Sequence, residues 1–398
     1  MPSMETTFQS AIDQGKINGM VICATDARGT FTYTKALGHR TLLSGDKVPQ
    51  RSDDVLTLAS ATKLVTTIAA LQCVEDGVLS LAGDLSAIVP ELTSKQVLTG
   101  FSESQPDLAP VDSAVTLQTL LSHSAGTSYY FGSEKLSEWN SRFNAPQPGQ
   151  QMTVSQAWAH PLDYQPGKGW MYGGSLDWVG LVIERATGQS LGEYMRNRIF
   201  TQLGITDAEF YPLTRDELRS RHVDTNPDDP GGTGIAVMGD VARAAPMLKG
   251  DFGGHGLMMT AEDYIKILHS LLANDGKLLK PETADTMFTD QLSPESSAMH
   301  QAVIANPMAA PLFRAGTDAP TKVSYGFGGL VTLEDTDGFF GSNTSAWGGG
   351  NTLAWFIDRK NDVCAIGAVQ AKVDSDLGLV NELKHVFRRG VYVKKNRI

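Results

Sequence analysis

Strand-like runs lie at the two ends of the chain, and helical patterns fill the long stretch between them. Runs rich in β-branched and other apolar residues are found at the ends: 19–27, 30–37, 325–333, 352–358 and 363–370. Short polar connections, Arg28-Gly29 and residues 359–362, join two pairs of these runs, which is typical of hairpins. A single sheet made from both termini would let all of these runs bury their apolar side chains together.

Helical periodicity dominates the middle of the chain and also marks its two ends. Apolar residues recur every three or four positions in several segments: 4–14, 117–122, 176–185, 191–200, 261–273 and 379–391. The segment 293–321 has no such period, so we expect it to be irregular. We predict an α/β (α+β) fold with the active site between two domains. Residues 1–83 and 322–398 would form the sheet domain, and residues 84–321 a mainly helical inserted domain.

The composition argues against several classes of function. The 398 residues are 41% hydrophobic and 19% charged, with a formal net charge of −11. That acidity argues against a nucleic-acid or anionic-membrane surface. No uncharged apolar run approaches the roughly 18 residues of a membrane span, and we recognise no signal peptide. The cysteines, Cys23, Cys73 and Cys364, lack zinc spacing. We therefore expect buried thiols in a cytoplasmic protein without metal or cofactor.

Ser60 and Lys63 carry the strongest indication of chemistry. An apolar strand-like run, 55–58, leads into Ser60, and an amphipathic helical pattern follows. Because Ser60 and Lys63 are three positions apart, their side chains would lie on one side of the first helical turn. A serine hydroxyl needs a nearby base to act as a nucleophile. A lysine amine can be that base if burial or a helix dipole lowers its pKa, and the helix start offers N–H groups to an oxyanion.

Two observations compete with this interpretation of Ser60. The Ser-x-x-Lys pattern is equally typical of a helix cap followed by a surface lysine, and it occurs again in a polar loop at Ser44 and Lys47. Residues 188–192 fit the Gly-x-Ser-x-Gly pattern of esterases, but that motif needs a preceding strand. Because a helical pattern precedes it here, we predict that Ser190 caps a helix instead.

Two aromatic residues beside glycines could complete a site around Ser60. Tyr172 precedes Gly173 and Gly174, and its phenol could relay a proton if a cation such as Lys63 lies beside it. An ordinary buried tyrosine fits the same pattern. Residues 347–350 are Trp-Gly-Gly-Gly just before a predicted strand, where a backbone N–H could complete an oxyanion hole. A bulge at a sheet edge would also explain these glycines.

Two histidines beside glycines, His123 and His255, suggest a different kind of site. A Ser-His-Asp triad would use one of them as its base. The sequence does not single out the acid partner among 44 acidic residues. Because a lone histidine is more often structural than catalytic, the triad is the weaker alternative.

Three motifs occur in the order and spacing of one enzyme superfamily: Ser60-Ala61-Thr62-Lys63, Tyr172-Gly173-Gly174 and Trp347-Gly348-Gly349. The chain resembles the class C branch of the serine β-lactamase and penicillin-binding-protein superfamily over nearly its whole length. Within that branch it is most similar to the fungal polyketide acyltransferases of lovastatin biosynthesis and to family VIII esterases. The resemblance implies an antiparallel sheet flanked by helices, plus a mainly helical domain.

The resemblance also implies roles for individual residues. Ser60 would form an acyl-enzyme, and Lys63 and Tyr172 would share the proton transfers, with either of them as the general base. The oxyanion would be held by the backbone N–H of Ser60 and by that of Gly350 or Gly349. Two further residues are implied to line the substrate site: Gly173 and Trp347.

Two departures from the superfamily pattern bear on the substrate. β-Lactamases and peptidases carry Asn where this chain has Gly174, and Lys-Thr-Gly where it has Trp347-Gly348-Gly349. The missing lysine is a cation for a substrate carboxylate, so Trp347 argues against β-lactams and peptidoglycan stems. An apolar pocket suits an ester or thioester with an aliphatic acyl chain or a polyketide body. Four aromatic side chains could line such a pocket: Trp139, Phe143, Phe313 and Trp347.

We therefore expect a serine acyltransferase that passes an acyl group from an ester or thioester donor to a hydroxyl of a small molecule in polyketide metabolism. The alternative is a carboxylesterase or lactone hydrolase with water as the acceptor, and a β-lactamase or peptidase is less expected. A silent binding module is argued against by the intact Ser60, Lys63 and Tyr172. A carrier protein or polyketide synthase would be a partner if the donor is a carrier-bound thioester; no nucleic acid or membrane is expected.

Overall fold

The structure is a computed structural model that describes residues 2–41, 47–103, 105–144, 151–223, 248–350, 353–370 and 377–397. The second Ser-x-x-Lys copy at Ser44 therefore lies outside the described residues. The strands of the described part are β1 Gly19–Thr25, β2 Thr32–Thr41, β3 Lys47–Pro49, β4 Val55–Thr57, β5 Val97–Ser102, β6 Gln105–Ala109, β7 Ala208–Phe210, β8 Leu257–Thr260, β9 Val323–Tyr325, β10 Leu330–Thr332, β11 Ser345–Gly349, β12 Leu353–Asp358 and β13 Val363–Gln370.

The first and last parts of the chain meet in one large antiparallel sheet with the order β3-β2-β1-β13-β12-β11-β10-β9. β1 pairs with β13 along its whole length, from Gly19 opposite Gln370 to Thr25 opposite Cys364. β1 and β2 form one hairpin and β12 and β13 another. The prediction of an antiparallel sheet built from both termini is therefore confirmed.

The helices of ten or more residues in the described part are α1 Met4–Asp13, α2 Thr62–Glu75, α3 Glu134–Phe143, α4 Ser175–Thr187, α5 Ala261–Ala273, α6 Pro294–Ala305 and α7 Leu377–Lys395. Shorter helical segments lie between them: Ala59–Ala61, Pro90–Thr93, Leu117–Leu121, Tyr130–Gly132, Val154–Ala157, Leu191–Met195, Arg196–Phe200, Thr201–Leu203, Asp216–Arg219, Pro281–Thr286 and Ala310–Phe313. Ser190 caps the segment Leu191–Met195 by accepting a hydrogen bond from the backbone N–H of Glu193, as predicted.

Helices cover both faces of the large sheet. Phe356 in β12 lies opposite Ala365 in β13 and packs its ring against α7, which also contacts α1. The next residue of β13, Ile366, lies opposite Cys23, and Cys23 lines a small cavity with Ile265 of α5. Because neighbouring residues of a strand point to opposite faces, α7 and α1 lie on one face and α5 on the other.

The middle of the chain also contains strands, although we predicted a mainly helical region there. β5 and β6 form a separate hairpin, and β7 and β8 pair with β4 in a three-stranded sheet. The predicted strand before Ser60 is β4, so it belongs to this small sheet. The division into domains at residues 84 and 321 stays a prediction; α5 from the middle part packs against the large sheet.

The prediction that residues 293–321 are irregular is wrong, because α6 lies within them. Ser293 caps α6 by accepting a hydrogen bond from the N–H of Ser296, and a proline occupies the first turn, where it costs no hydrogen bond. The buried side of α6 consists of Ser296, His300 and Ile304. Two of these three residues are polar, so the helix has no apolar periodicity for the sequence to reveal.

One predicted strand near the C-terminus differs from the structure. The run 325–333 is two strands, β9 and β10, because the chain reverses at Gly328, whose φ is +95°. The apolar pattern continues through the turn because Phe327 is itself buried. The predicted strand 352–358 is β12, and the motif before it is itself in a strand, since Trp347 and Gly349 lie inside β11.

Candidate active site

Ser60 lies in a tight turn between β4 and α2. The turn Ala59–Ala61 precedes α2, so Ser60 stands at the N-terminal end of that helix, as predicted. Ala59 has a φ of +45°, in the left-handed region that costs a non-glycine residue about 1 kcal/mol or more. Such strain next to a half-buried side chain that faces a cavity is common at functional sites.

Lys63 points from the first turn of α2 towards Ser60 and is only 1% exposed. Its Nζ donates hydrogen bonds to Gly254 O at 2.7 Å, Tyr129 Oη at 3.0 Å and Ser60 Oγ at 3.4 Å. These contacts match the donor capacity of an ammonium group. The helix-cap alternative, in which Lys63 is a surface residue, is therefore wrong.

The pKa of Lys63 is shifted upward, whereas a lysine that acts as a base was expected to have a lowered pKa. Burial does push the pKa of Lys63 down, but the nearby acidic groups of Tyr129, Tyr172 and Asp177 raise it above its usual value. For Tyr129, burial raises the pKa of the phenol more than the ammonium of Lys63 lowers it. A phenol raises the pKa of Lys63 only when it is deprotonated, so the protonation of Lys63 and that of Tyr129 are coupled.

Tyr172 lies beside Lys63, as the sequence predicted. Lys63 Nζ is 4.6 Å from the centroid of the Tyr172 ring, and the indole Nε1 of Trp347 donates a hydrogen bond to Tyr172 Oη at 3.1 Å. The ring of His123 packs 4.5 Å from that of Tyr172, and its Nδ1 accepts a hydrogen bond from Gly173 N at 3.3 Å. His123 therefore supports the Tyr172 loop and is not the base of a triad.

Tyr129 is a site residue that the sequence analysis missed. It contacts Lys63 directly, and its backbone N–H donates to the carbonyl of Tyr172 at 3.2 Å. The neighbouring residues Ser128 and Gly173 form an antiparallel bridge, so the two tyrosines are held on adjacent segments. The only sequence signal was an aromatic run between two glycines, which does not indicate a contact with Lys63.

The glycines of the two later motifs allow close approach of the backbone. A Cβ on Gly349 would lie 2.0 Å from Leu58 O, so β11 packs directly against the turn that carries Ser60. Gly350 lines the same cavity as Ser60 and is the better placed of the two predicted oxyanion donors. Gly173 is packed against Thr127 and away from the cavity lining, so it positions the loop instead of meeting substrate.

A cavity of about 1200 Å³ extends from Ser60 and is lined mainly by apolar side chains. Trp158 fills the space beside Gly174, since a Cβ there would lie 2.7 Å from its ring. Of the four predicted aromatic residues, Phe313 and Trp347 line this cavity, while Trp139 and Phe143 do not. The unpredicted helix α6 supplies another part of its wall.

His255 is the second predicted histidine, and it too lines the cavity. Its Nδ1 lies 3.4 Å from Oδ1 of the fully buried Asp177, the acid partner that the sequence did not single out. Ser60 contacts Lys63 and not this pair, so the group is no Ser-His-Asp triad. Within the described ranges, no cluster of His, Cys, Asp or Glu could hold a metal ion, and no helix combines the length and apolarity of a membrane span.

Comparisons with known proteins agree with this geometry. A family model described as Beta-lactamase matches residues 4–383. The chain is 56% identical over 392 residues to lovastatin esterase of Penicillium rubens, covering 98% of each protein. It is 34% identical over 402 residues to monacolin J acid methylbutanoyltransferase of Aspergillus terreus, covering 98% of this chain and 95% of that one. Unliganded simvastatin synthase of A. terreus superposes with a TM-score of 0.86 at 32% identity, over 99% of this chain and 98% of that one.

These similarities extend over almost the whole chain, and their names describe ester hydrolysis and acyl transfer. The fold is the β-lactamase and penicillin-binding-protein fold that the resemblance implied. The chain is a serine acyltransferase or ester hydrolase, and it belongs to the beta-lactamase family.

Proposed function

We propose that Ser60 is the nucleophile of an acyl transfer between esters and alcohols of polyketides. The observation that supports this most is the buried Nζ of Lys63, held between Ser60 Oγ and the phenol of Tyr129 at one side of a large apolar cavity. The similar proteins named above are named for lovastatin and for monacolin J acid. The apolar wall of this cavity fits a substrate of the same class.

The proposed reaction has two halves. In the first, Ser60 Oγ attacks the ester carbonyl, and its proton passes to a deprotonated member of the group formed by Lys63, Tyr129 and Tyr172. The backbone N–H groups of Ser60 and Gly350 hold the oxyanion. The bond to the donor alcohol then breaks, and the departing alkoxide takes that proton. In the second half, a hydroxyl acceptor attacks acyl-Ser60, and the same steps run in reverse.

Hydrolysis is a second candidate function, because the chain is 56% identical to an esterase and 34% identical to a transferase. Both reactions share the acyl-enzyme and differ in the acceptor that attacks it. Mass spectrometry of the intact protein, mixed with p-nitrophenyl butyrate, separates them. We expect an acyl adduct on the Ser60 peptide. An adduct that persists in water and disappears on adding an alcohol indicates a transferase, and one that disappears in water indicates an esterase. Absence of any adduct in folded protein would contradict the proposal.

The substrate that we propose carries a carboxylate. Lys384 and Arg388, one turn apart on α7, both line the cavity, and Arg388 is only 4% exposed. No carboxylate among the described residues lies within ion-pair distance of either cation, and Arg388 Nε has no hydrogen-bond partner there. Burying an unpaired cation is costly, and a substrate carboxylate would remove that cost. These cations would replace the lysine that is missing at Trp347.

Arg388→Gln is expected to raise KM for a hydroxy-acid ester by ~10- to 100-fold, the scale of a lost charged hydrogen bond. KM for the neutral p-nitrophenyl butyrate should stay the same. Burial and the nearby Arg388 lower the pKa of Lys384 to about 7. Lys384 therefore loses its charge as the pH rises through that value, and KM for the acid substrate should rise with it.

The matched control for this prediction is Arg389→Gln. Arg389 is the next residue on α7, but it is exposed, pairs with Asp318 at 3.0 Å and does not line the cavity. Steady-state kinetics between pH 6 and 9 measures KM for both substrates. This range extends from about one unit below to about two units above the pKa of Lys384. An equal rise in KM for both substrates would contradict a carboxylate site.

Two further proposals concern the location of the protein and the delivery of its acyl donor. A cytoplasmic location is supported by the free, buried thiols of Cys23, Cys73 and Cys364, which suit a reducing compartment. Transfer from a thioester on a carrier protein is supported only by the chemistry of the acyl-enzyme, which accepts esters and thioesters alike. Acylation of Ser60 by a carrier-bound butyryl group, followed by mass spectrometry, tests the second proposal; a rate no higher than that with a free thioester would argue against carrier delivery.

A further inference from the structure

His255 and Asp177 are two buried ionisable side chains that the proposed steps do not use. His255 is 7% exposed and lines the cavity together with Ser60. Asp177 is 0% exposed and lies in the first turn of α4. The 3.4 Å between His255 Nδ1 and Asp177 Oδ1 is longer than a good hydrogen bond. Contacts of this kind are often long before substrate binds and shorten in the complex.

The backbone of Gly254 connects this pair to the nucleophile. Gly254 N donates a hydrogen bond to Asp177 Oδ1 at 2.6 Å, and Gly254 O accepts one from Lys63 Nζ at 2.7 Å. His255 is the next residue along the chain, and it lines the same cavity as Ser60. Close packing fixes the segment, because a Cβ on Gly254 would lie 2.7 Å from the Asp177 carboxylate.

His255 has the chemistry of a general base, and Asp177 that of the residue that positions it. Nδ1 has no hydrogen-bond partner among the described residues, so the Asp177 carboxylate 3.4 Å away is an acceptor for an N–H there, and that tautomer leaves the lone pair on Nε2. In the described part of the chain, Asp177 Oδ2 has no hydrogen-bond partner. The negative charge of Asp177 is thus available to stabilise an imidazolium when His255 takes up a proton.

We infer that His255, oriented by Asp177, is the general base for the water that hydrolyses acyl-Ser60. The inference rests on the proposed acyl-enzyme. The water oxygen bonds to the acyl carbon as one water proton moves to His255 Nε2. The tetrahedral intermediate then collapses, the bond from that carbon to Ser60 Oγ breaks, and Oγ takes a proton through Lys63. His255 returns its proton to the Lys63 group, and free Ser60 and a carboxylic acid remain.

An alcohol acceptor does not need this base. The donor alcohol leaves with a proton from the group of Lys63, Tyr129 and Tyr172. An acceptor alcohol attacks by the reverse of that step and returns its proton to the same group, because the two steps are microscopic reverses. Water is the acceptor that can use a separate base, so His255 sets how the acyl-enzyme partitions between water and alcohols.

His255→Gln tests the inference with p-nitrophenyl butyrate and rapid mixing. We expect the burst of p-nitrophenol, which reports acylation, to stay within a few-fold of the unsubstituted protein. The steady rate in water should fall by ~10²-fold, the scale of losing a general base, and acyl-Ser60 should accumulate in mass spectra. Adding butanol should clear the adduct as fast as in the unsubstituted protein. His39→Gln, an exposed histidine on β2, is the matched control and should change neither phase.

Three outcomes would overturn the inference. One is clearance of the adduct in water at the unsubstituted rate, and another is a burst that falls as much as the steady rate, which indicates a structural role. The third is a folded His255→Ala protein whose hydrolysis is not restored by added imidazole. If the unsubstituted protein forms no acyl-Ser60, the proposed nucleophile fails and this inference fails with it.

Discussion

Ser60→Ala is expected to abolish acylation and to lower the esterase rate on the order of 10⁶-fold, the scale seen when a catalytic serine is removed. The protein should remain folded, because the hydrogen bond of Ser60 Oγ within the described part of the chain is long, 3.4 Å from Lys63 Nζ. Release of p-nitrophenol from p-nitrophenyl butyrate measures the rate, and thermal unfolding measures the stability. The adduct in the mass spectrum should disappear completely.

Ser190→Ala is the matched control, since Ser190 lies in the esterase-like Gly-x-Ser-x-Gly pattern. Its hydroxyl caps a helix by accepting a hydrogen bond from Glu193 N at 3.2 Å. Loss of that cap should cost about 1 kcal/mol of stability and leave activity within a few-fold. Ser60→Ala should therefore remove activity and keep stability, whereas Ser190→Ala should lower stability and keep activity. A loss of activity in Ser190→Ala comparable to that in Ser60→Ala would contradict the assignment of the nucleophile.

Lys63→Met is expected to slow acylation by about 10²-fold or more, because it removes a proton carrier and the positive charge that faces both phenols. Methionine is a similarly long, unbranched side chain, so the packing in α2 should be preserved. The carbonyl of Gly254 and the phenol of Tyr129 would each lose a hydrogen bond. Rapid mixing with p-nitrophenyl butyrate separates the acylation rate from the later steps.

Lys168→Met provides the control for Lys63→Met. Lys168 is a surface residue whose salt bridge with Asp112 is exposed on both sides, and such pairs contribute little to stability. We expect unchanged kinetics and an unchanged unfolding midpoint. Burst kinetics of Lys63→Met equal to those of the control would exclude Lys63 from the acylation step.

The local pattern of apolar residues was enough to predict those strands and helices that bury one continuous row of apolar side chains. The hairpins β1–β2 and β12–β13 combine apolar runs with a short polar turn, and α5 begins and ends where its periodicity does. The prediction of α6 failed because polar His300 and Ser296 occupy its buried face. The break between β9 and β10 was missed because buried Phe327 continues the apolar run through the turn.

The sequence by itself determined the nucleophile motif, its helix and the family, because Ser60 and Lys63 are neighbours on one helical turn and local geometry brings them together. The tertiary structure decided everything that crosses between distant segments. It placed Tyr129 against Lys63, brought Asp177 beside His255, and raised the pKa of Lys63 instead of lowering it. The physical reason is that electrostatic interactions depend on distance and burial, and neither can be read from positions along the chain.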